Sequence, residues 1–485
     1  MNIRTIGHDL EHPVWLVASL FFDNSEDICI ESSAALVNNA LHSQAVLTYN
    51  GTCYNGDYSF PCDSNSDTYT QKRIMSAVCG MALYRAAAIA RPAVLPWGVM
   101  TGIRPAKPIR EMLAIGVPKE DILSHFRNLY GVTDKKLELA FAVAENELDL
   151  LFVNSPSDIG LYIGIPFCPT RCLYCSFISS DLRHTKKYVP DYCRLLIDEI
   201  TYSARLLAAS CMNIQSIYIG GGTPTSLAAQ DLDLLLNCIC EHFDLSSLRE
   251  FCVEAGRPDT ITPDKLTVLK KHGVNRLSIN PQTMNYDTLN IIGRKHTPDE
   301  INKAFSLARE LGFSNINADL IAGLPGEDER MFKNTLDRIL EIYPENITVH
   351  TMSVKRGSAL NQKKHDFALS AQETVQNMLD LAHDTLPQNG YSPYYMYRQK
   401  HMLGNLENVG YSKPGYMSLY NVNIMEEVQS ILALGCGGSS KAIDHAANRI
   451  ERVYNFKSPI EYIGRFDEIL SKKDEFFSLL MRKEC

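Results

Sequence analysis

Leu161-Tyr162-Ile163-Gly164-Ile165-Pro166-Phe167-Cys168-Pro169-Thr170-Arg171-Cys172-Leu173-Tyr174-Cys175 opens the regular part of this chain. Its first seven residues are almost all apolar, β-branched or aromatic and predict a buried strand over Leu161 to Phe167. That strand runs directly into three cysteines spaced C-x3-C-x2-C, so three thiols share one loop. Downstream, apolar runs at Ser216 to Gly220, Phe251 to Glu254, Arg276 to Asn280, Ile316 to Leu320 and Ile347 to Thr351 predict five more strands. Helical patterns near 187–209, 230–243, 263–272, 298–311 and 328–342 lie between them. Strands alternating with helices predict parallel βα units, either an incomplete barrel or a doubly wound sheet. In both architectures chemistry sits at the carboxyl ends of the strands.

Three cysteines at such a strand end read first as metal ligands in a reducing compartment. Structural zinc normally takes four ligands, and no second C-x2-C pair or H-x3-H element is present. Soft thiolates also select iron–sulfur clusters; with three thiols, one iron of a cubane stays open to a substrate or cofactor. The second motif, Tyr218-Ile219-Gly220-Gly221-Gly222-Thr223-Pro224-Thr225, ends the second predicted strand. It is neither a dinucleotide fingerprint nor a phosphate loop, since no G-K-[ST] follows. Its glycines permit close backbone approach, and their N–H and C=O groups can meet a ligand. Later strand ends carry Glu254, Gln282, Arg294 and Asp319. A carboxylate on an apolar strand is costly to bury unpaired, so each meets either a ligand or a structural cation.

C-x3-C-x-(aromatic)-C after a first strand resembles the radical S-adenosylmethionine (SAM) superfamily. The preceding Tyr162-Ile163-Gly164-Ile165-Pro166-Phe167-Cys168 is similar to the Tyr-Ile-His-Ile-Pro-Phe-Cys of the oxygen-independent coproporphyrinogen III oxidase branch. The likeness covers about residues 160 to 445 and is nearest to the coproporphyrinogen dehydrogenase-like group with an added N-terminal region. It implies an incomplete parallel (β/α)6 barrel, one 4Fe–4S cluster on Cys168, Cys172 and Cys175, and two SAM molecules. In this superfamily the open iron binds the SAM methionine, and one electron from the cluster cleaves the sulfonium to a 5'-deoxyadenosyl radical. Carried over residue by residue, SAM contacts fall on Tyr162, Tyr174, Gly221, Gly222, Thr223, Glu254, Gln282, Arg294, Asp319, Thr351 and Ser439, the last beside the turn Gly435-Cys436-Gly437-Gly438. The implied reaction is decarboxylation of coproporphyrinogen III to protoporphyrinogen IX in heme biosynthesis, with an electron donor such as flavodoxin or ferredoxin. The founding oxidases extend the loop to C-x3-C-x2-C-x-C, whereas Ser176-Phe177 follows Cys175 here. That departure keeps open a heme-binding chaperone relative, and an anaerobic heme-modifying radical enzyme is the other alternative.

The flanks are less regular. Residues 1–155 read as an N-terminal α+β accessory domain, with strand-like pieces at Trp15 to Phe22 and Ala45 to Tyr49. A polar loop follows over Gly51 to Tyr69, then a helix over Gln71 to Ala90 and a helix after Thr133. Residues 156–360 form the partial barrel and 361–485 a smaller C-terminal domain. In the latter, Tyr394, Tyr395, Tyr397, Arg398 and Lys400 either line a tetrapyrrole, with Arg398 and Lys400 on its propionates, or partly fill a core. With 47 Lys+Arg against 56 Asp+Glu the formal charge is −9, which makes nucleic acid an unfavourable partner. The apolar stretch Ala86 to Met100 is broken by Arg91, Pro92 and Pro96, short of the ~20 residues a membrane helix needs. Asp9, Glu11 and Asp23 flank the run Val14 to Phe22, with no cleavage pattern, so the expected location is cytoplasmic.

Overall fold

The computed structural model describes residues 1–481 apart from 24, 152–153, 177–179, 356, 363–366, 368–369, 400–404, 445–446 and 448. The described chain forms two compact units, one from Met1–Glu145 with residues 397–399 and 405–406, the other from Asn146–Met396 and the residues from Glu407 onward.

The first unit is α+β. Strands β1 (Asn2–Ile6), β2 (Ile28–Val37), β3 (Ala40–Tyr49) and β4 (Thr52–Pro61) form a sheet in that order, antiparallel except for β1 against β2. Two of the sequence expectations differ here. The run Trp15 to Phe22, expected to be strand-like, lies in and just after a helix, Glu11–Ala18, because Val14, Val17, Ala18 and Phe21 recur at helical spacing and are all buried. The polar stretch expected to be a loop supplies β4: Asn50 and Gly51 both take positive φ (50° and 76°), the two-residue hairpin turn that returns the chain antiparallel to β3. Helix Thr68–Ala90, N-capped by Asp67, is the one described helix long and apolar enough to cross a membrane. Its residues Cys79, Ala82, Leu83, Ala86 and Ala87 are buried in one core with Ile28, Ile30 and Leu47 of the sheet, so that apolar face serves the unit's own interior. Thr133 precedes helix Asp134–Leu151 as expected, but its hydroxyl donates to the Pro96 carbonyl (3.1 Å).

The second unit holds the βα repeat. The strands are β5 (Asp158–Ile165), β6 (Phe167–Cys168), β7 (Ser180–Asp181), β8 (Asn213–Gly221), β9 (Glu250–Gly256), β10 (Arg276–Ile279), β11 (Ile316–Ala322), β12 (Asn346–Thr351), β13 (Ser392–Arg398), β14 (Glu407–Ser412), β15 (Ser430–Gly435), β16 (Ser439–Asp444) and β17 (Arg449–Tyr454). Helices Val189–Ala208, Ala229–His242, Pro263–Lys271, Pro298–Glu310 and Glu329–Ile342 alternate with the main strands. Strands β5, β8, β9, β10, β11 and β12 are parallel neighbours in chain order. A doubly wound sheet would reverse its order at a switch point, whereas this unbroken succession is the progression of a partial barrel. Most residues of these strands are buried, as parallel strands covered on both faces require.

The structure corrects the expectation of a separate domain over 361–485. Strand β14 pairs antiparallel with β12 and carries β13 outside it, while β15 pairs parallel with β5 and continues into β16 and β17. An open six-stranded sheet leaves unpaired N–H and C=O groups along both edges, and the C-terminal strands satisfy them on both sides. They extend one sheet to eleven strands instead of building a second core.

Candidate active site

The cysteine loop is fixed along its length. Cys168 lies on β6, paired parallel with β7 so that it faces Asp181. The Leu173 N–H donates to the Ile292 carbonyl (3.0 Å) and the Leu360 N–H to the Leu173 carbonyl (2.9 Å). Cys175 N–H closes a turn on Cys172 (3.1 Å), and Arg171 donates to the Gly357 carbonyl (2.7 Å). Cys168 and Cys172 are buried and Cys175 is half-buried. Burial pushes the Cys168 thiol up to about 11; the Thr223 hydroxyl 3.4 Å away counters this, the neighbouring Cys175 and Cys172 add to it, and Arg257 opposes it. The Cys168 thiolate is therefore favoured only against a compensating cation, and two further soft donors lie on the same loop beside it. Among the described residues no three His, Cys, Asp or Glu side chains converge on a single-ion site. A cubane places each thiolate on a different iron, so this donor set fits a 4Fe–4S cluster rather than one closed ion.

The glycine turn lies flat on this loop. Gly222 N–H donates to the Ile165 carbonyl (2.7 Å) and Thr223 N–H to the Phe167 carbonyl (2.8 Å). A Cβ on Gly222 would come within 2.6 Å of the Phe167 oxygen, so the glycine is required by close approach of two backbones. Two amides that the sequence offers to a ligand are therefore engaged with the cysteine loop. Gly221, at φ 107°, turns its N–H toward Glu254.

Glu254 on β9 is surrounded on all sides yet keeps accessible surface, as a side chain lining an internal space does. The Tyr218 hydroxyl donates to its Oε1. Tyr218 stacks on Tyr162 (ring centroids 6.3 Å apart) and on Tyr420 (4.6 Å), which walls that side of the interior with parallel rings. Burial pushes Glu254 up to about 7; the Tyr218 bond opposes this and the charge of Asp319 adds to it. Asp319 on β11 takes the opposite course. Burial raises it too, but His350 (Nε2 at 3.8 Å) and Asn317 (2.7 Å) outweigh that and hold it below the ordinary carboxylate value. Two nearby carboxylates are thereby set apart, one ionised and one poised near neutrality.

Of the other expected contacts, Arg294 is buried and donates to the Asn280 and Gly256 carbonyls, facing Cys172 and half-buried Tyr174. Its Nε is buried without a hydrogen-bond partner. Gln282 is buried at φ 69°, its backbone bridging Leu320 and accepting from Ile321. A non-glycine residue in that conformation is strained and marks a position held by its surroundings. Thr351 is engaged elsewhere: its hydroxyl donates to the Glu407 carbonyl (2.7 Å), which ties β12 to β14. Ser439 begins β16, the second strand outside β5, and what reaches Gly164 at the top of β5 is the turn Gly435–Cys436 before it. Sequence reasoning missed Tyr420, His350, Arg257 and Asp259; only the parallel register of β11 and β12 brings His350 beside Asp319.

Comparison with known proteins settles the family. The sequence pattern of the Radical SAM superfamily matches residues 162–339. The oxygen-independent coproporphyrinogen-III oxidase-like protein HemZ of Bacillus subtilis is 41% identical over 392 residues, 80% of this chain and 78% of the relative. This chain belongs to the oxygen-independent coproporphyrinogen-III oxidase-like branch of the radical SAM superfamily. The heme chaperone HemW of Lactococcus lactis is 29% identical over 317 residues, 65% of this chain and 78% of the relative. Among solved structures, coproporphyrinogen III oxidase (HemN) from Escherichia coli, a radical SAM enzyme, superposes with a TM-score of 0.52 at 24% identity, over 67% of this chain and 72% of that one. It supports the shared fold. Membership in this radical SAM branch implies a 4Fe–4S cluster and SAM, and its members are named for coproporphyrinogen oxidation or heme handling.

The residues expected to receive a tetrapyrrole in this radical SAM protein lie elsewhere. Tyr394 and Tyr395 are buried, and the Tyr395 ring packs over Gly410 of the neighbouring strand. Arg398 is buried in the first unit, where its guanidinium stands over Trp97 and donates to the Met100 and Asn405 carbonyls. A side chain so engaged is a packing anchor and does not reach for a propionate. Lys400 lies outside the described residues.

Proposed function

We propose that the chain oxidatively decarboxylates two propionates of coproporphyrinogen III to vinyl groups, giving protoporphyrinogen IX without oxygen. The observation that carries this reading is the three-thiol loop at the carboxyl end of the first parallel strand, opening on an interior that holds Glu254 and Asp319. When bound, the cluster and SAM supply a one-electron cleavage that yields a hydrogen-abstracting radical. Each vinyl group then follows from loss of a β-hydrogen, carbon dioxide and one electron to an acceptor. Cys168, Cys172 and Cys175 would hold three irons and leave the fourth to SAM. Glu254 and Asp319 would anchor SAM, whose two copies also meet Tyr162, Tyr174, Gly221, Thr223, Gln282 and Arg294. The electron comes from a small donor such as flavodoxin or ferredoxin, and a reducing cytoplasm keeps the thiols available.

Anaerobic incubation of the reconstituted protein with coproporphyrinogen III, SAM and a reductant, followed by mass analysis, tests this. Two decarboxylations with 5'-deoxyadenosine formation are expected. The loop ending Ser176-Phe177 and the HemW relative favour a heme-transfer reading as the second choice. Unchanged porphyrinogen mass, with tightly bound heme passing to an apo-protein, would select it.

The SAM anchors are tested separately. Glu254→Gln and Asp319→Asn should each weaken SAM binding by ~1 to 3 kcal/mol while leaving the cluster spectrum intact. Equilibrium binding as tight as in the parent would assign both carboxylates to structural pairs. A pH effect accompanies Glu254. With its value raised from 4.5 to about 7, the folded protein keeps a proton that the unfolded chain releases between those pH values. Relative to Glu254→Gln, the cluster-free parent should lose about 1 to 3 kcal/mol as pH rises through that window; the buried His296, held down at about 4, shifts stability the opposite way there but does so in both proteins and cancels in the comparison. Asp319, shifted downward, titrates below the window and does not contribute there. Urea unfolding at pH 5 and pH 8 reads the difference.

A further inference from the structure

We propose that Arg257, locked by Asp259, is a positioning residue for the cysteine loop: its guanidinium fixes Thr170, midway between Cys168 and Cys172, so that the thiols present one geometry to the cluster. The inference rests on the radical SAM reading of that loop and adds a residue which neither the motif nor the SAM contacts include. Arg257 follows the end of β9, only 2% exposed. Its Nε and Nη2 donate to the two oxygens of Asp259 (2.9 and 2.8 Å), a bidentate pair that satisfies the buried charge. The remaining nitrogen, Nη1, is directed at the loop, donating to the Thr170 carbonyl (3.1 Å) and to its hydroxyl (2.9 Å). A pair needed only for packing would not aim its spare donor at both acceptors of one loop residue.

The Thr170 hydroxyl passes the restraint on by donating to the Gly293 carbonyl (3.4 Å), next to Arg294, which faces Cys172 and Tyr174. Two buried cations, Arg257 just past β9 and Arg294 in the loop after the helix Tyr286–Ile291, therefore bracket the C-x3-C segment, and buried His296 packs near both. Outer partners of metal ligands fix ligand orientation, and their loss commonly weakens metal retention roughly 10- to 100-fold.

The test uses the full chain, reconstituted without oxygen, as parent, Arg257→Met, Arg257→Lys and Thr170→Val. Thr170→Val deletes the 2.9 Å bond and leaves the Arg257–Asp259 pair whole. Iron per chain, the rate of iron extraction by a chelator, the electron paramagnetic resonance spectrum of the reduced cluster and the urea midpoint of the iron-free protein are measured. Extraction should be fastest in Arg257→Met, roughly 10- to 100-fold above the parent, with a broadened resonance. It should be partly restored in Arg257→Lys and intermediate in Thr170→Val, whose iron-free midpoint stays at the parent value. Parental extraction and resonance in both Arg257→Met and Thr170→Val would overturn the positioning role. A parent that takes up no iron would instead overturn the cluster itself.

Discussion

Cys172→Ala should lose most of the brown chromophore and all SAM cleavage. The thiol lies on a loop pinned by backbone bonds at Leu173 and Cys175, so no neighbouring cysteine can move in to replace it. Among the described residues Cys193, Cys238 and Cys252 are buried on helices or strands of the same unit, fixed by their own elements. With two thiolates left, a cubane has two unprotected irons and disassembles. Absorbance near the thiolate-to-iron band and iron analysis check the first effect, and 5'-deoxyadenosine formation checks the second. Retention of a full cluster with unchanged cleavage would remove Cys172 from the ligand set. Because the thiol contributes only a small buried surface, the urea midpoint of the iron-free variant should stay within about 1 kcal/mol of the parent.

The second large effect is structural and lies at the opposite edge of the first barrel strand. Glu199 and Lys473 are both fully buried and 3.0 Å apart. The carboxylate accepts from the Gly435 N–H (2.7 Å), the Tyr462 hydroxyl (2.6 Å) and Asn455 (2.9 Å). The ammonium donates to the Ala433 carbonyl (2.7 Å) and Asn455 (2.9 Å). Through these bonds the last helix, Phe466–Met481, fastens β15 and the turn that abuts Gly164. Burial already holds Lys473 below its ordinary value. Glu199→Leu strands that charge, along with the Gly435 amide, and should cost about 3 to 5 kcal/mol, a large share of the ~5 to 15 available to a domain. The double variant Glu199→Leu/Lys473→Met should recover much of the loss, since an apolar pair of similar volume avoids the desolvation of two ions. Urea unfolding of the iron-free chains measures both, and a single-variant cost under 1 kcal/mol would show that water reaches the pair.

The sequence alone determined the βα repeat and the three-thiol loop that follows its first strand. Six apolar runs alternating with amphipathic helices specify parallel βα units, and the bounds of β5, β8, β9, β10, β11 and β12 follow the expected ones closely; the choice between partial barrel and doubly wound sheet rests on the strand order. The three cysteines were legible because covalent spacing places them on one loop whatever the packing. Asn50-Gly51 also carried a readable hairpin signal, though the polar residues after it suggested a loop; an outer-face strand tolerates such residues. What only the tertiary structure decided depends on which distant segments share an edge or a wall. Residues past 361 fill the open margins of the barrel sheet because unpaired backbone groups there need partners, a demand that no local pattern in those residues records. Arg398 looks from its tyrosine-rich neighbours like a ligand contact, yet its guanidinium is spent on the Met100 and Asn405 carbonyls. Glu254 acquires its value near 7, and Arg257 its reach to Thr170, from strand register, since hydrogen bonds between residues 36 and 87 positions apart exist only once the sheet has closed around them.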